Sequence, residues 1–277
     1  MAWSGTHTTT TLAKWIPKEW GAEIEPYATP VLVAAGMCVD WPFPIGVGTV
    51  YPPKMSAIAA AAMKTDGSDE DITGNTEDYA TMTSSPRQSS VFIPWGVGNV
   101  VLRAHEAGYQ AELARSCRVD GDARILEAAA AASTHAGVVT DATVTKPGLL
   151  LAKQTILGSD GEMTGWGVFD TTQYANFFNI QGFVDAAYVG SGNRMETGRP
   201  ATVLGLFIIF TTQVYYSAPN YYNIVSAPRG MVHGTQAGLT VTIDEIPTKG
   251  HGRLIMAKYQ DGSAILNDKF IVPWLTQ

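Results

Sequence analysis

Charge is scarce in this chain. Only 16% of its 277 residues are charged, while 45% are apolar. A surface so poor in solvating charge is one that partners cover. The balance is acidic, with a formal net charge of −7, and there is no basic run or Arg/Lys stripe. Sequence-independent binding to nucleic acid requires phosphate neutralisation, so gripping DNA is not the chain's main work. Cysteine is almost missing: Cys38 and Cys117 stand far apart, with no CxxC. That pattern signals neither a zinc site nor a disulfide framework, and reads as two reduced, buried thiols. No basic start followed by an apolar block opens the chain, so no secretory signal is read. The longest greasy run, Val203 to Phe210, is far short of the ~20 residues a bilayer crossing needs. These absences favour a soluble protein made inside a cell, with no membrane partner.

The motifs of common enzymes are missing too. Without a Gly-Lys dipeptide there is no P-loop. No serine is flanked by glycines at both plus and minus two, so there is no nucleophile elbow. His7, His105, His135, His233 and His251 are scattered, and none sits at ligand spacing with Cys, Asp or Glu. The acidic stretch with Asp69, Asp71 and Gly74 starts like a calcium loop, but its twelfth position is Ala80. No metal, cofactor or catalytic residue is expected. Asp170 is the residue that tests this expectation, because it ends a short apolar run and opens a helix-like one, GWGVFDTTQYANFFN. Asp accepts hydrogen bonds well from the free N–H groups of a helix's first turn. With no partner base or acid in reach of the pattern, Asp170 is assigned as a helix cap.

What is present is an unusual order of segments. Residues 1–11 are small and polar, and LAKWIPKEWGAEIEPYATPVLVAAG follows with Trp15 and Trp20 as anchors on a short arm. Residues 38–95 have little helical or core pattern. They run through Pro-punctuated extended sequence, then Asp66 to Asp78 with six acids and no base, then the strand-like SSVFIPWG. Such a connection is either disordered or a long β-hairpin arm lying on a neighbouring subunit. Its aromatic content, Trp41, Phe43, Tyr51, Tyr79, Phe92 and Trp95, argues for the arm.

Spacing predicts a helix from Asn99 to about Arg118, with Leu102, His105, Tyr109, Leu113 and Ser116 on one face. Gly121 is expected to weaken or kink it before a second helix, Ala123 to Ser133. Pro147 opens another helix, GWGVF reads as a buried strand, and ATVLGLFIIFTTQV reads as one long strand. NYYNIVSAPRGMVHG is expected to give a strand and a short helix, and the tail gives strands around an Asp261–Gly262 turn. The fold class is α+β.

The order of these pieces resembles the major capsid proteins of tailed bacteriophages, the Hong Kong 97-type coat fold. WIPKEWGAEIEPYATPVLVAAGM is similar to that family's N-terminal arm, and GTVYPPKM and SSVFIPWG to the two legs of its extended loop. NVVLRAHEAGYQAELARSCRVDGDARILEAA resembles its spine helix; GWGVFDTTQYANFF, GRPATVLGLFIIFTTQV and YYNIVSAPRGMVHG resemble its axial lobe. The resemblance implies an N-terminal arm at 1–37, an extended loop at 38–95 and a peripheral domain with the spine helix at 96–139. It further implies an axial α/β domain at 140–237 and C-terminal strands at 238–277 returning to the peripheral domain. It implies self-assembly through pentamers and hexamers into an icosahedral shell, a virion location, and no enzymatic activity. Partners would be sibling copies, a portal at one vertex, a cement or decoration protein, and double-stranded DNA held weakly. The arm starts within about fifteen residues of Met1, which suggests that the scaffolding protein is a separate chain. Inter-subunit contact candidates are Trp15, Trp20, Trp41, Tyr51, Lys54, Lys64, Tyr79 and Phe92. Rival classes are an encapsulin-like nanocompartment shell, an α/β enzyme, and a tail or decoration component.

Overall fold

The computed structural model of the chain describes residues 34–55, 77–93, 106–159, 164–180, 202–247 and 251–277. The expectations for Trp15, Trp20, Lys64, Leu102, His105 and the acidic segment up to Asp71 lie outside these residues.

Two sheets share one helix. The first sheet has four strands in the order β1 (Cys38–Asp40), β13 (Met231–Ile246), β14 (Gly252–Ile265) and β6 (Ser85–Ile93). β1 runs parallel to β13, and the other pairs are antiparallel. The second sheet has seven strands. Its path is β7 (Val139–Thr140), β15 (Ile271–Thr276), β12 (Asn220–Ser226), β8 (Gly165–Asp170), β10 (Leu206–Thr211) and β9 (Thr202–Val203), with β11 (Tyr215–Ser217) on β12.

The shared helix is α2, Glu106–Ala130, with 25 residues. At about 1.5 Å per residue it is roughly 37 Å long. Its buried positions Leu113, Cys117, Ile125 and Ala129 fall on a four-residue repeat, with Leu126 beside them. The first half packs on the four-stranded sheet through Leu113, Cys117, Ile255 and Ala257. The second half packs on the seven-stranded sheet through Ile125, Leu126, Ala129, Val168 and Ile224, together with α1 (Ala34–Met37). The opposite face of that sheet is covered by α3 (Lys146–Leu157) and α4 (Tyr174–Phe178), around Leu149, Ile156, Phe169, Phe177 and Trp274. β8 is therefore buried on both faces, which is why GWGVF carries no polar alternation. α3 starts as Pro147 predicts, with Thr145 as N-cap accepting from the Gly148 N–H at 3.2 Å.

Several local expectations are corrected. The helix runs through Gly121 without interruption. Gly121 lies where α2 crosses the sheet, and a Cβ there would touch Asp261 and Tyr259 at 3.5 Å. Ser116 is exposed and Cys117 takes the inward place. Ala227 to Gly230 form a turn, with the Gly230 N–H donating to Ala227 O, rather than a short helix. Asp261 and Gly262 lie inside β14, opposite Thr235 and Gly234, and the hairpin closes instead across Ile246 and Gly252. The greasy run is not one strand: it folds at Leu204–Gly205 into the β9–β10 hairpin. β15 does not return to the four-stranded sheet with β14. It pairs with β12, because Val272 and Trp274 are fully buried in the core beneath α3.

Candidate assembly surface

Residues 49–55 and 77–83 pair as two short antiparallel ladders beside the four-stranded sheet. β2 (Thr49–Val50) pairs with β5 (Met82–Thr83), and β3 (Pro53–Met55) pairs with β4 (Glu77–Tyr79), both antiparallel. Lys54 Nζ lies 2.8 Å from Asp78 Oδ2 across this ladder. The Lys54 hydrogen bond, then the Tyr79 N–H, hold the Asp78 carboxyl below its usual range. Tyr51 and Tyr79 meet edge to face at 5.1 Å, yet stay 57% and 59% exposed. A hairpin with so little buried surface is not stable alone. Something must cover these rings, or hold the ladder at its base.

The base is held by a notch in the four-stranded sheet. Gly234 and Gly262 are register partners. A Cβ on Gly234 would sit 2.5 Å from Trp41 O, and one on Gly262 would sit 2.7 Å from Phe43 Cε1 and 2.8 Å from Thr83 O. Only glycine lets the arm's root lie this close. Phe43, Ala80 and Met82 fill the notch with Val232 and Ala264. Polar bonds fix the exit direction. Gln236 Nε2 donates to Pro44 O at 2.6 Å and to Val47 O at 2.7 Å, and Ser84 Oγ donates to Gln236 Oε1 at 2.7 Å. The ladders leave Tyr51 and Tyr79 exposed, and the segment leading into them exposes Ile45 and Val47.

Among the named contact residues, Tyr51, Lys54 and Tyr79 sit together on the hairpin. Trp41 is half-buried at its root, its backbone N–H donating to His233 O at 2.8 Å. Phe92 is a correction: it is buried in the chain itself, under Gly252, whose Cβ would clash with its ring at 2.4 Å. Its place on β6 next to β14 turns it inward, so no neighbour can reach it. Ile45, Gln236 and Ser84 were missed. Ile45 stands alone between prolines and glycines, and the two polar residues carry no pattern that marks an anchor.

The ionisable groups do structural work. Asp170 Oδ2 accepts from the Thr172 N–H at 2.6 Å, and its own N–H donates to the buried Asn223 Oδ1 at 2.7 Å. Asp122 Oδ1 accepts the Ala34 N–H at 2.7 Å, tying α1 to α2. Arg124 bridges Asp261 and Tyr259, and the Tyr259 hydroxyl donates to Asp120 at 2.6 Å. Burial, then the bond to Asp120, raises the Tyr259 phenol well above its usual range. Burial works against the Arg124 charge, but Asp261 and Tyr259 outweigh it and keep the guanidinium firmly protonated. Burial first, then the charge of Asp122, pushes the Cys38 thiol up to about 12, so it is not a nucleophile. A cavity of about 250 Å³ lies between α2 and the β13–β14 face, lined by Cys117, Ile125, His233, Leu239 and Tyr259. Among the described residues no group of three His, Cys, Asp or Glu side chains could hold a metal ion, and no helix is long and apolar enough to cross a membrane.

No family model and no curated protein sequence matches the chain. Solved structures do. The capsid structure of cyanophage P-SCSP1u matches with a TM-score of 0.76 at 12% identity, over 96% of this chain and 94% of that one. A structure from Mycobacterium phage Che8 matches at 0.72 and 13%, over 94% and 97%. The asymmetric unit of the mature capsid of bacteriophage PhiM1 matches at 0.69 and 12%, over 94% and 92%. The chain therefore has the α+β capsid fold of the Hong Kong 97 type, as its segment order led us to expect. The likeness spans both chains almost end to end.

Proposed function

We propose that this chain is a major capsid protein, assembling through pentamers and hexamers into the icosahedral head that encloses the double-stranded DNA of a tailed phage. The observation that carries the reading is the projecting hairpin. It is anchored rigidly at the Gly234–Gly262 notch, yet its Tyr51 and Tyr79 rings are more than half exposed. Such a projection lengthens the contact area of each copy, and shells need interfaces of roughly 2,000 Å² and more. One patch meeting a different patch on the next copy closes rings.

In this reading the hairpin is the extended loop and α2 is the spine. The four-stranded sheet is the peripheral unit, and the seven-stranded sheet is the axial unit. The role is architectural, not enzymatic. A net charge of −7 suits a wall that must not trap packaged DNA. A scaffold, a portal at one vertex and a decoration protein are the partners this role calls for. Electron microscopy of the expressed chain, with and without a co-expressed scaffold, tests it. Closed icosahedral shells are expected. Small homotrimers or single rings would mark a tail or decoration component. Shells that recruit an internal cargo peptide would mark a nanocompartment.

A further inference from the structure

Two glutamines stand beside the two glycines of the notch. Gln236 lies two residues beyond Gly234 on β13, and Gln260 lies two residues before Gly262 on β14, so the four gather on one face once the strands pair. Gln236 is also the extra residue of a β-bulge. Thr235 opposes Asp261 and Ala237 opposes Gln260, which leaves Gln236 without a register partner. A bulge re-aims the side chain it carries. Here it delivers a buried amide whose polar atoms are all used. Nε2 donates to Pro44 O and to Val47 O, and Oε1 accepts from Ser84 Oγ. Gln260 Nε2 donates to the same Ser84 Oγ. One side chain thus grips both the segment leading into the ladders and the segment returning from them.

Holding the root and aiming it are different tasks. Burial of Phe43, Ala80 and Met82 is non-directional, so the notch holds the root without choosing one angle for it. Hydrogen bonds do choose, because they weaken steeply off axis. The segment that Gln236 grips has little else to fix it. Ile45 is 85% exposed, Gly46 has a φ of +86°, and a Cβ on Gly46 or Gly48 would meet nothing within 4 Å. We propose that Gln236 is a specificity-determining residue of assembly: it sets the angle at which the ladders leave the sheet, and so which surface of the next copy they reach. The inference rests on the coat-protein reading and deepens it. Glutamine suits the task because its amide puts two donors on one atom beside an acceptor, without charge. Leucine would fill the same space with no bond. Glutamate would turn both donors into a charged oxygen facing two carbonyls.

The test uses the full unassembled chain with nitroxide labels on Lys54→Cys and Glu127→Cys, which mark the outer ladder and α2. Cys117 is buried and the Cys38 thiol is pushed up to about 12, so the introduced thiols take the label. Pulsed electron resonance should give one narrow distance. Adding Gln236→Leu should broaden it to about twice that width, because the directional bonds are gone. The melting temperature should stay within about 5 °C of the parent. Gln236→Glu should be as broad near pH 8, and should narrow near pH 5 as the protonated acid regains one donor. The parent should show no such change. An unchanged width in Gln236→Leu would leave the aiming to the notch, a larger loss of melting temperature would make the amide a prop of the sheet, and a Gln236→Glu width that ignores pH would make its role one of packing; each overturns the proposal. In unlabelled protein, Gln236→Leu should give particles of mixed diameter or open sheets by electron microscopy. Uniform wild-type shells, or no particles at all, overturn it too. If the wild-type chain itself forms no shells, the coat-protein reading falls, and the distance measurement still decides whether Gln236 aims the ladders.

Discussion

Gly234 and Gly262 face each other across β13 and β14, and the side chains they lack make the seat for Phe43 and Met82. The root of the hairpin is therefore seated by a missing pair of methyl groups as well as by the Gln236 hydrogen bonds. Gly262→Ala places a Cβ 2.7 Å from the Phe43 ring and 2.8 Å from a backbone oxygen, which cannot move as a side chain tip does. Overpacking of this kind costs about 1–3 kcal/mol. Urea denaturation should show that loss, and limited proteolysis should cut the hairpin faster. An unchanged midpoint with an unchanged cleavage rate would mean that the arm is held elsewhere.

The hairpin itself should be dispensable for folding. The Ala80 N–H already donates to Pro52 O at 2.9 Å, so those two residues are neighbours across the ladder. Replacing Pro53–Tyr79 by an Asn-Gly turn keeps Ala80 and Met82, which are buried in the notch. A deletion reaching Thr83 would remove both and damage the core. The shorter variant should melt within a few degrees of wild type and form no shells. Global unfolding of it would place the hairpin in the core.

Arg124 is pinned between Asp261 and Tyr259, and Asp261 is nearly buried. Arg124→Met leaves that carboxylate without its cation and should cost about 3 kcal/mol. Adding Asp261→Asn removes the stranded charge. The double variant should therefore be more stable than Arg124→Met alone, by chemical denaturation of all four members of the cycle. Strict additivity would show that the two groups do not interact.

Asp268 fastens the end of α2. Its carboxylate accepts the N–H groups of Ser133 and Thr134 at 3.0 and 2.7 Å. Burial favours its neutral form, but the Thr134 and Ser133 hydrogen bonds outweigh this and hold the carboxyl below its usual range. A depressed folded value means the contribution is complete above the unfolded value of about 3.9 and fades as pH falls through the folded one. Asp268→Ala should cost about 1–2 kcal/mol at pH 7. The gap from wild type should narrow below pH 4. A gap constant from pH 7 to pH 2 would rule out the ionised carboxylate as its source.

Element types were legible wherever the signal was local. Pro147 after Thr145, the doubly apolar GWGVF, and the helix-forming run through Ala130 each act over one or two turns of chain, so propensity and capping chemistry decide them. Asp170 was legible for the same reason, since its cap partner Thr172 is two residues away. The glycines were not. Gly121, Gly234 and Gly262 read as turns and breaks, but each sits inside a regular element; at Gly234 and Gly262 another segment passes too close for a side chain.

Composition and segment order alone settled that this is an acidic chain of α+β fold, because those depend on the count and sequence of residues. Which face Phe92 takes and where β15 pairs were decided only when strands far apart in the chain came together. Long-range packing chooses among conformations that short-range preference leaves nearly equal, and one residue of register turns a side chain from solvent to core.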